Sequence, residues 1–247
     1  YTDLDVFYSF YSNQCITITG TNGKSTTCQL LYEVLKKQGF DVKLAGNIGY
    51  PILSIKKIKR KSIFVVEASS YQLDYSKLFN SKYAVILNIS ADHLERHKTL
   101  KNYISAKFKL IKNQKNNSIA FINKHDLHIN AKIKKKNNIK SKIVKVNTKL
   151  NDKFLKIFDN NYFLSSSNRE NLSFVLEISK KFKVKKNILI NVIKKFKGLK
   201  YRQQIIFDSK NISIINDSKS TSYSSSLQML KQLNNINSIV ELIGNTP

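Results

Sequence analysis

The chain has 247 residues with 43 Lys or Arg against 16 Asp or Glu, a formal net charge of +27, and only two cysteines, Cys15 and Cys28. That length buries a substantial core and suits one large domain or parts of two. Two cysteines exclude a disulfide framework, no Cys/His spacing matches a zinc site, and no apolar run approaches the roughly 20 residues that span a bilayer; the expectation is a soluble protein of a reducing cytoplasm, with no membrane partner. A charge this positive ordinarily suggests a polyanionic partner. Yet only Arg60, Arg96, Arg169 and Arg202 are arginine, the residue that forks onto phosphates and base edges. The reading is therefore a solvated lysine-rich surface and no nucleic-acid partner. Tyr1 stands first and the sole methionine is Met229, so the chain is expected to be part of a longer one.

Short β-branched runs alternate with longer amphipathic stretches, the pattern of an α/β domain with a mostly parallel sheet flanked by helices. Strands are predicted over residues 15–19, 42–45, 62–67, 83–88, 118–123 and 142–146, and helices over 24–38, 100–112, 168–182 and 185–196. The helix over 168–182 spaces Leu172, Val175, Leu176 and Ser179 along one face. Residues 132–142, "KIKKKNNIKSK", form a basic low-complexity stretch expected on the surface. Between Lys149 and Ser166, "FLKIF" and "NYFLS" flank Asp159, Asn160 and Asn161 and are predicted to pair as a hairpin. A domain boundary is placed at residues 198–201. Beyond it come a strand within "NISIIND", a Ser-rich helix start and a final strand in "SIVELIG".

The chemistry begins at "ITITGTNGKST", residues 16–26. A strand ends, a tight Gly20-Thr21-Asn22-Gly23 turn follows, and a helix starts. Backbone amides at that helix start, with the helix dipole, form an anion site. Lys24 can bring a positive charge to terminal phosphates and Ser25 a hydroxyl to Mg²⁺. The general phosphate loop, G-x-x-x-x-G-K-[ST], needs a glycine where Ile18 stands, so this is a specialised relative or a turn that merely joins strand to helix. In "FVVEASSYQLD", Glu67 emerges at the carboxyl end of a buried strand, the edge where open α/β sheets bind ligands, and a carboxylate there can hold Mg²⁺ or be merely solvated. In "AVILNISADHLERH", Asp92 and His93 lie just past another strand; His93 can ligate a metal or contact a substrate, and His97 can equally sit at the surface. Nothing in the spacing singles out Lys107 from the other lysines of its amphipathic helix.

Taken in order, "GTNGKST", "GNIG", "EASSYQL", "NISADHLERH", "SAKFKLI", "GLKYRQQ" and "NDSKSTS" resemble the Mur ligases, ATP-dependent amide-forming enzymes of peptidoglycan synthesis whose shortened loop reads G-T-x-G-K-[ST]. Within that family "EASSYQL" and "NISADHLERH" are most similar to the D-glutamate-adding branch. The resemblance implies that Gly20, Thr21, Asn22, Gly23, Lys24, Ser25 and Thr26 bind ATP phosphates, with Ser25 and Glu67 ligands of one Mg²⁺. It implies a second Mg²⁺ at His93 and Lys107, the lysine as a carbamate formed with CO₂, and a catalytic role for Lys24, His93 and Lys107. Asn168, Asn171, Arg202 and Asp217 would surround the adenosine. Asn47, Ser69 and Gln72 would contact the muramoyl nucleotide, and Lys219 and Thr221 would lie toward the γ-phosphate and the amino acid. The implied substrates are UDP-N-acetylmuramoyl-L-alanine and D-glutamate. The implied layout is the end of an N-terminal domain or linker over 1–12, a central ATP-binding domain over 13–198 and the start of a second, Rossmann-like α/β domain over 199–247, so the chain alone is not expected to be a complete enzyme. Two departures stand out: the family's G-x-H-N reads "SSSN" before Asn168, and "NDSKSTS" ends in Ser222 where Asn is usual. The nearest alternatives are a sibling ligase of the same superfamily, such as a folylpolyglutamate synthase, and a P-loop NTPase that ligates nothing.

Overall fold

Six strands make one wholly parallel sheet in the computed structural model, which describes residues 1–135, 138–202, 204–209 and 213–219. After helix α1 (Asp3–Phe10) come β1 (Gln14–Thr19), α2 (Lys24–Gln38), β2 (Val42–Gly46), β3 (Ile63–Glu67), α3 (Ser70–Tyr75) and β4 (Tyr83–Ile86). Then follow α4 (Leu94–His97), α5 (Leu100–Lys112), β5 (Ile119–Asn123), α6 (Leu127–Lys134) and β6 (Lys142–Val146). The spatial order is β2-β3-β1-β4-β5-β6, so the chain leaves β1 toward one edge and returns to build on its other side. That reversal opens a crevice at the carboxyl ends of β1, β3 and β4.

The pleat sends alternate residues of each strand into two separate cores. Ile16, Ile18, Val65, Val85 and Phe121 face α2 and two later helices, α8 (Ser166–Lys181) and α9 (Lys186–Lys195). Cys15, Phe64, Val66, Ile86 and Ile122 face α1, α3, α5 and α6. A sheet covered on both faces explains why "IFVVE" in β3 is continuously buried rather than alternating. Helix α1 belongs to the second core. Leu4 and Phe7 are fully buried there, each contributing roughly 1.5–3 kcal/mol. The Asp5 carboxylate accepts hydrogen bonds from Ser76 Oγ at 2.7 Å and from the backbone N–H groups of Lys77, Leu78 and Phe79.

The predicted hairpin between Lys149 and Ser166 does not form. Residues Asp152–Leu155 are a short helix, α7, and Asn161–Leu164 a 3₁₀ turn. Of the first run, Leu155 and Phe158 are buried while Phe154 and Ile157 are exposed; three residues apart is one helical turn, not one strand face. Asn151 and Asn160 start the two turns, their Oδ1 atoms accepting from Phe154 N at 2.8 Å and Tyr162 N at 2.9 Å. Beyond α9, β7 (Gln204–Asp208) and β8 (Ser213–Asn216) pair antiparallel, with the predicted strand in "NISIIND" as the second partner. The Ser-rich helix start, the "SIVELIG" strand and Thr221 lie outside the described residues.

Candidate functional site

Thr19 ends β1, and the chain turns through Gly20–Gly23 into α2. Gly23 has φ +82°, a left-handed conformation that glycine adopts without cost, and a Cβ there would stand 2.0 Å from Asn171 Oδ1. The turn is held from the strand next door. Asn88, two residues past β4, accepts from Thr21 N with its carbonyl at 3.0 Å and from Asn22 N with its Oδ1 at 2.8 Å. The Thr21 hydroxyl bonds Ser90 and lies 3.1 Å from the Tyr103 hydroxyl. The amides of the first turn of α2 therefore open on the crevice with the positive end of the helix dipole behind them. Lys24 folds its Nζ back onto the carbonyls of Gly20 at 3.1 Å and Thr21 at 2.7 Å.

Below the loop lie two buried ionisable side chains, Glu67 and Lys107, with the half-buried Lys24 close enough to feel their charge. Glu67 ends β3 beside Ile18, is 3% exposed, and its Oε2 has no hydrogen-bond partner. Lys107 of α5 is 1% exposed; its Nζ donates to Gly20 O at 2.8 Å and sits 4.6 Å from the centre of the Tyr103 ring. Burial, then the charge of Lys24, push the Lys107 ammonium well below the usual lysine range, with Asp92 and Glu67 opposing. Lys24 is lowered in the same way by burial, Glu67 again opposing. Lys107 is thus not the solvated lysine that its helix pattern allowed.

His93 has φ 52° and a half-exposed ring between Asp92 Oδ2 at 3.6 Å and Glu95 Oε1 at 3.5 Å. His97 is buried, against the surface alternative: its Nε2 is 3.0 Å from Ser70 Oγ and its ring packs on Tyr71 and Tyr103. Among the described residues no three His, Cys, Asp or Glu side chains group closely enough to hold a metal by themselves. The unpartnered Glu67 oxygen and the buried Ser25 hydroxyl nevertheless suit Mg²⁺, which commonly takes one or two carboxylates and fills its remaining positions with phosphates and water.

Over the loop a cavity of about 410 Å³ is lined by Thr21–Thr26, His93, Asn168, Asn171, Arg202, Asp217 and Lys219, together with Asn88, Tyr162 and Glu170. The start of α8 forms one wall. Ser165 caps it by accepting from Asn168 N at 3.2 Å, Asn168 Nδ2 donates to Tyr162 O at 2.9 Å, and Asn171 Oδ1 accepts from Thr27 Oγ1 at 3.2 Å. Arg202, Asp217 and Lys219 also line the cavity, with Lys219 N bonded to Tyr201 O at 3.0 Å. Glu170 is pushed up to about 7 by burial, although Asn88 and Asn123 donate to it. Glu170, Asn88 and Tyr162 were not anticipated; a polar residue just past a buried strand was the available signal for Asn88.

Asn47, Ser69 and Gln72 stand apart, past the ends of β2 and β3. Asn47 is exposed and its N–H donates to Glu67 O at 3.1 Å. Ser69 and Gln72 form the capping box of α3, and Gln72 Nε2 also donates to the Asp3 carboxylate.

A family profile described as Mur ligase middle domain matches residues 18–192. The chain belongs to the Mur ligase family. This Mur ligase chain is 36% identical over 252 residues to a UDP-N-acetylmuramoylalanine--D-glutamate ligase of Rickettsia felis, covering 95% of the chain and 56% of the relative. It is 38% identical over 254 residues to the protein of the same name from Buchnera aphidicola, covering 98% and 58%. It therefore spans little more than half the length of these curated relatives. In fold it is similar to a MurF ligase from Thermotoga maritima solved in complex with ADP (TM-score 0.71, 17% identity, 94% of this chain and 59% of that one). It is also similar to MurF from Acinetobacter baumannii (TM-score 0.70, 15% identity, 93% and 56%).

Proposed function

We propose that this Mur ligase chain is the ATP-binding part of a ligase that adds D-glutamate to UDP-N-acetylmuramoyl-L-alanine in peptidoglycan synthesis. The observation that carries the reading is the cavity over the Gly20–Thr26 loop with the unpartnered Glu67 oxygen and the buried Lys107 amine beneath it. The acceptor carboxylate attacks the γ-phosphorus of ATP, ADP leaves, and the acyl phosphate formed is then attacked by the D-glutamate amine with release of phosphate. Both steps build negative charge on oxygens near the loop. Lys24 and the first-turn amides of α2 stabilise that charge where it develops. Ser25 and Glu67 would hold one Mg²⁺, which supplies charge neutralisation of the phosphates.

His93 and Lys107 would serve a second Mg²⁺ only with Lys107 carbamylated, since an ammonium repels a cation. Carbamylation requires a neutral amine, and burial favours that form at Lys107. Asn168, Asn171, Arg202 and Asp217 would enclose the adenosine, Lys219 and Thr221 would lie toward the amino acid, and Asn47, Ser69 and Gln72 would meet the muramoyl nucleotide. Residues 13–198 are taken as the central domain, with 199–247 opening the next one and the reaction placed in the cytoplasm. Phosphate release by the full-length ligase, assayed on UDP-N-acetylmuramoyl-L-alanine with D-glutamate, L-alanine, diaminopimelate and L-lysine in turn and on a folate with L-glutamate, tests the reading. Turnover with D-glutamate alone is expected; preferential use of a folate with L-glutamate would overturn it.

A further inference from the structure

Five residues of α8, Ser166, Ser167, Asn168, Glu170 and Asn171, line the cavity, and the proposed roles use only the two asparagines. Glu170 is tied to the ends of two strands. Its Oε1 accepts from Asn88 Nδ2 at 2.5 Å and its Oε2 from Asn123 Nδ2 at 3.0 Å. Asn88 in turn grips both backbone groups of one loop residue: its Oδ1 accepts from Asn22 N at 2.8 Å and its Nδ2 donates to Asn22 O at 3.2 Å. That double grip works with the amide one way round only. Turned over, the nitrogen would face the Asn22 N–H and the oxygen the Asn22 carbonyl. An ionised carboxylate accepts and never donates, so Glu170 selects the orientation that the loop needs.

We propose that Glu170 is a positioning residue for the nucleotide-binding loop: by fixing the Asn88 amide, it sets the backbone of Asn22 and hence the shape in which the loop meets phosphate. The inference rests on the nucleotide reading of the cavity and deepens it. No contact between Glu170 and the ligand is required. Glu170→Gln keeps size but puts an N–H among groups that only donate toward it, so either Asn123 or Asn88 loses its acceptor.

The test is calorimetric titration of Mg²⁺-ADP into this chain at pH 8, where the carboxyl is ionised, for the parent, Glu170→Gln, Asn88→Ala and the double variant. Expected is about a tenfold loss of affinity for Glu170→Gln, the scale of one hydrogen bond, with a melting midpoint within about 4 °C of the parent. Because Glu170 acts through Asn88, adding Glu170→Gln to Asn88→Ala should cost no more than about twofold further. Affinity unchanged in Glu170→Gln, or the full loss repeated on the Asn88→Ala background, overturns the proposal. Should Glu170→Gln melt far below the parent, Glu170→Ala, which removes the acceptor without adding a donor, is judged by the same rule; if it too melts far below, Glu170 holds the fold rather than the loop. A parent chain that binds no ADP overturns the nucleotide reading itself, and this inference with it.

Discussion

Replacing Gly23 by alanine should damage both the fold and the loop, for reasons that can be separated. At φ +82° an L-residue costs about 1–2 kcal/mol that glycine does not. The added Cβ would also stand 2.0 Å from Asn171 Oδ1, where ordinary contact begins near 3.4 Å, so the amide must retreat by more than an ångström. Its buried hydrogen bond from Thr27 Oγ1, 3.2 Å long, is then lost, at roughly 1–3 kcal/mol. Together these give about 2–5 kcal/mol, a large share of the ~5–15 kcal/mol typical of a folded domain. Urea unfolding of Gly23→Ala, alone and with Asn171→Ala, measures the two parts. With Asn171 already truncated only the backbone strain should remain, about 1–2 kcal/mol. A cost under about 0.5 kcal/mol for the single change, or the same cost in both backgrounds, would refute the reasoning.

Gly46→Ala should destabilise by about 3 kcal/mol or more, read from the urea midpoint, because φ is +98° and the new Cβ would lie 2.2 Å from the Glu67 carbonyl oxygen, a backbone atom with little room to move. Asp5 ties acid stability to α1. Burial pushes its carboxyl up, but the hydrogen bonds from Ser76, Leu78, Lys77 and Phe79 outweigh it and hold the group at about 2, against 3.8 unfolded. A depressed carboxyl gives stability that is present above 3.8 and lost as pH falls through about 2; it amounts to roughly 2 kcal/mol, and Asp5→Asn should abolish this part of the acid loss in urea titrations at stepped pH. An identical acid slope in the variant would count against it. In the full-length ligase, Lys107→Ala should lose most phosphate-releasing turnover and regain part of it with added short-chain carboxylates, whereas full activity would end the carbamate reading.

The sheet and its main helices were legible because their signals are long and periodic. Helices over 24–38 and 100–112 and the strand over 142–146 fall where the pattern put them. Short helices were not: α3 has six residues and α6 buries only Ile129 within a basic stretch, too little for a period to register. The turns at 152–164 misled because the apolar residues of "FLKIF" alternate loosely enough for either period, and only burial of Leu155 with Phe158 decides between them. At the site, the loop glycines, Lys24 and Glu67 could be read from spacing and strand ends. Lys107 could not. Its burial depends on the strand order, which brings α5 beneath β1, and that is a property of topology rather than of local pattern. Glu170 was hidden for the same reason, its partners lying 82 and 47 residues away.

Titration of Mg²⁺-ADP into this 247-residue chain and its Lys24→Ala variant bears most directly on the nucleotide role of the loop. Lys24 now bonds two loop carbonyls that a phosphate would replace. Saturable binding by the parent, weakened about tenfold or more in Lys24→Ala, is the predicted result. Equal affinity in the two proteins would contradict it.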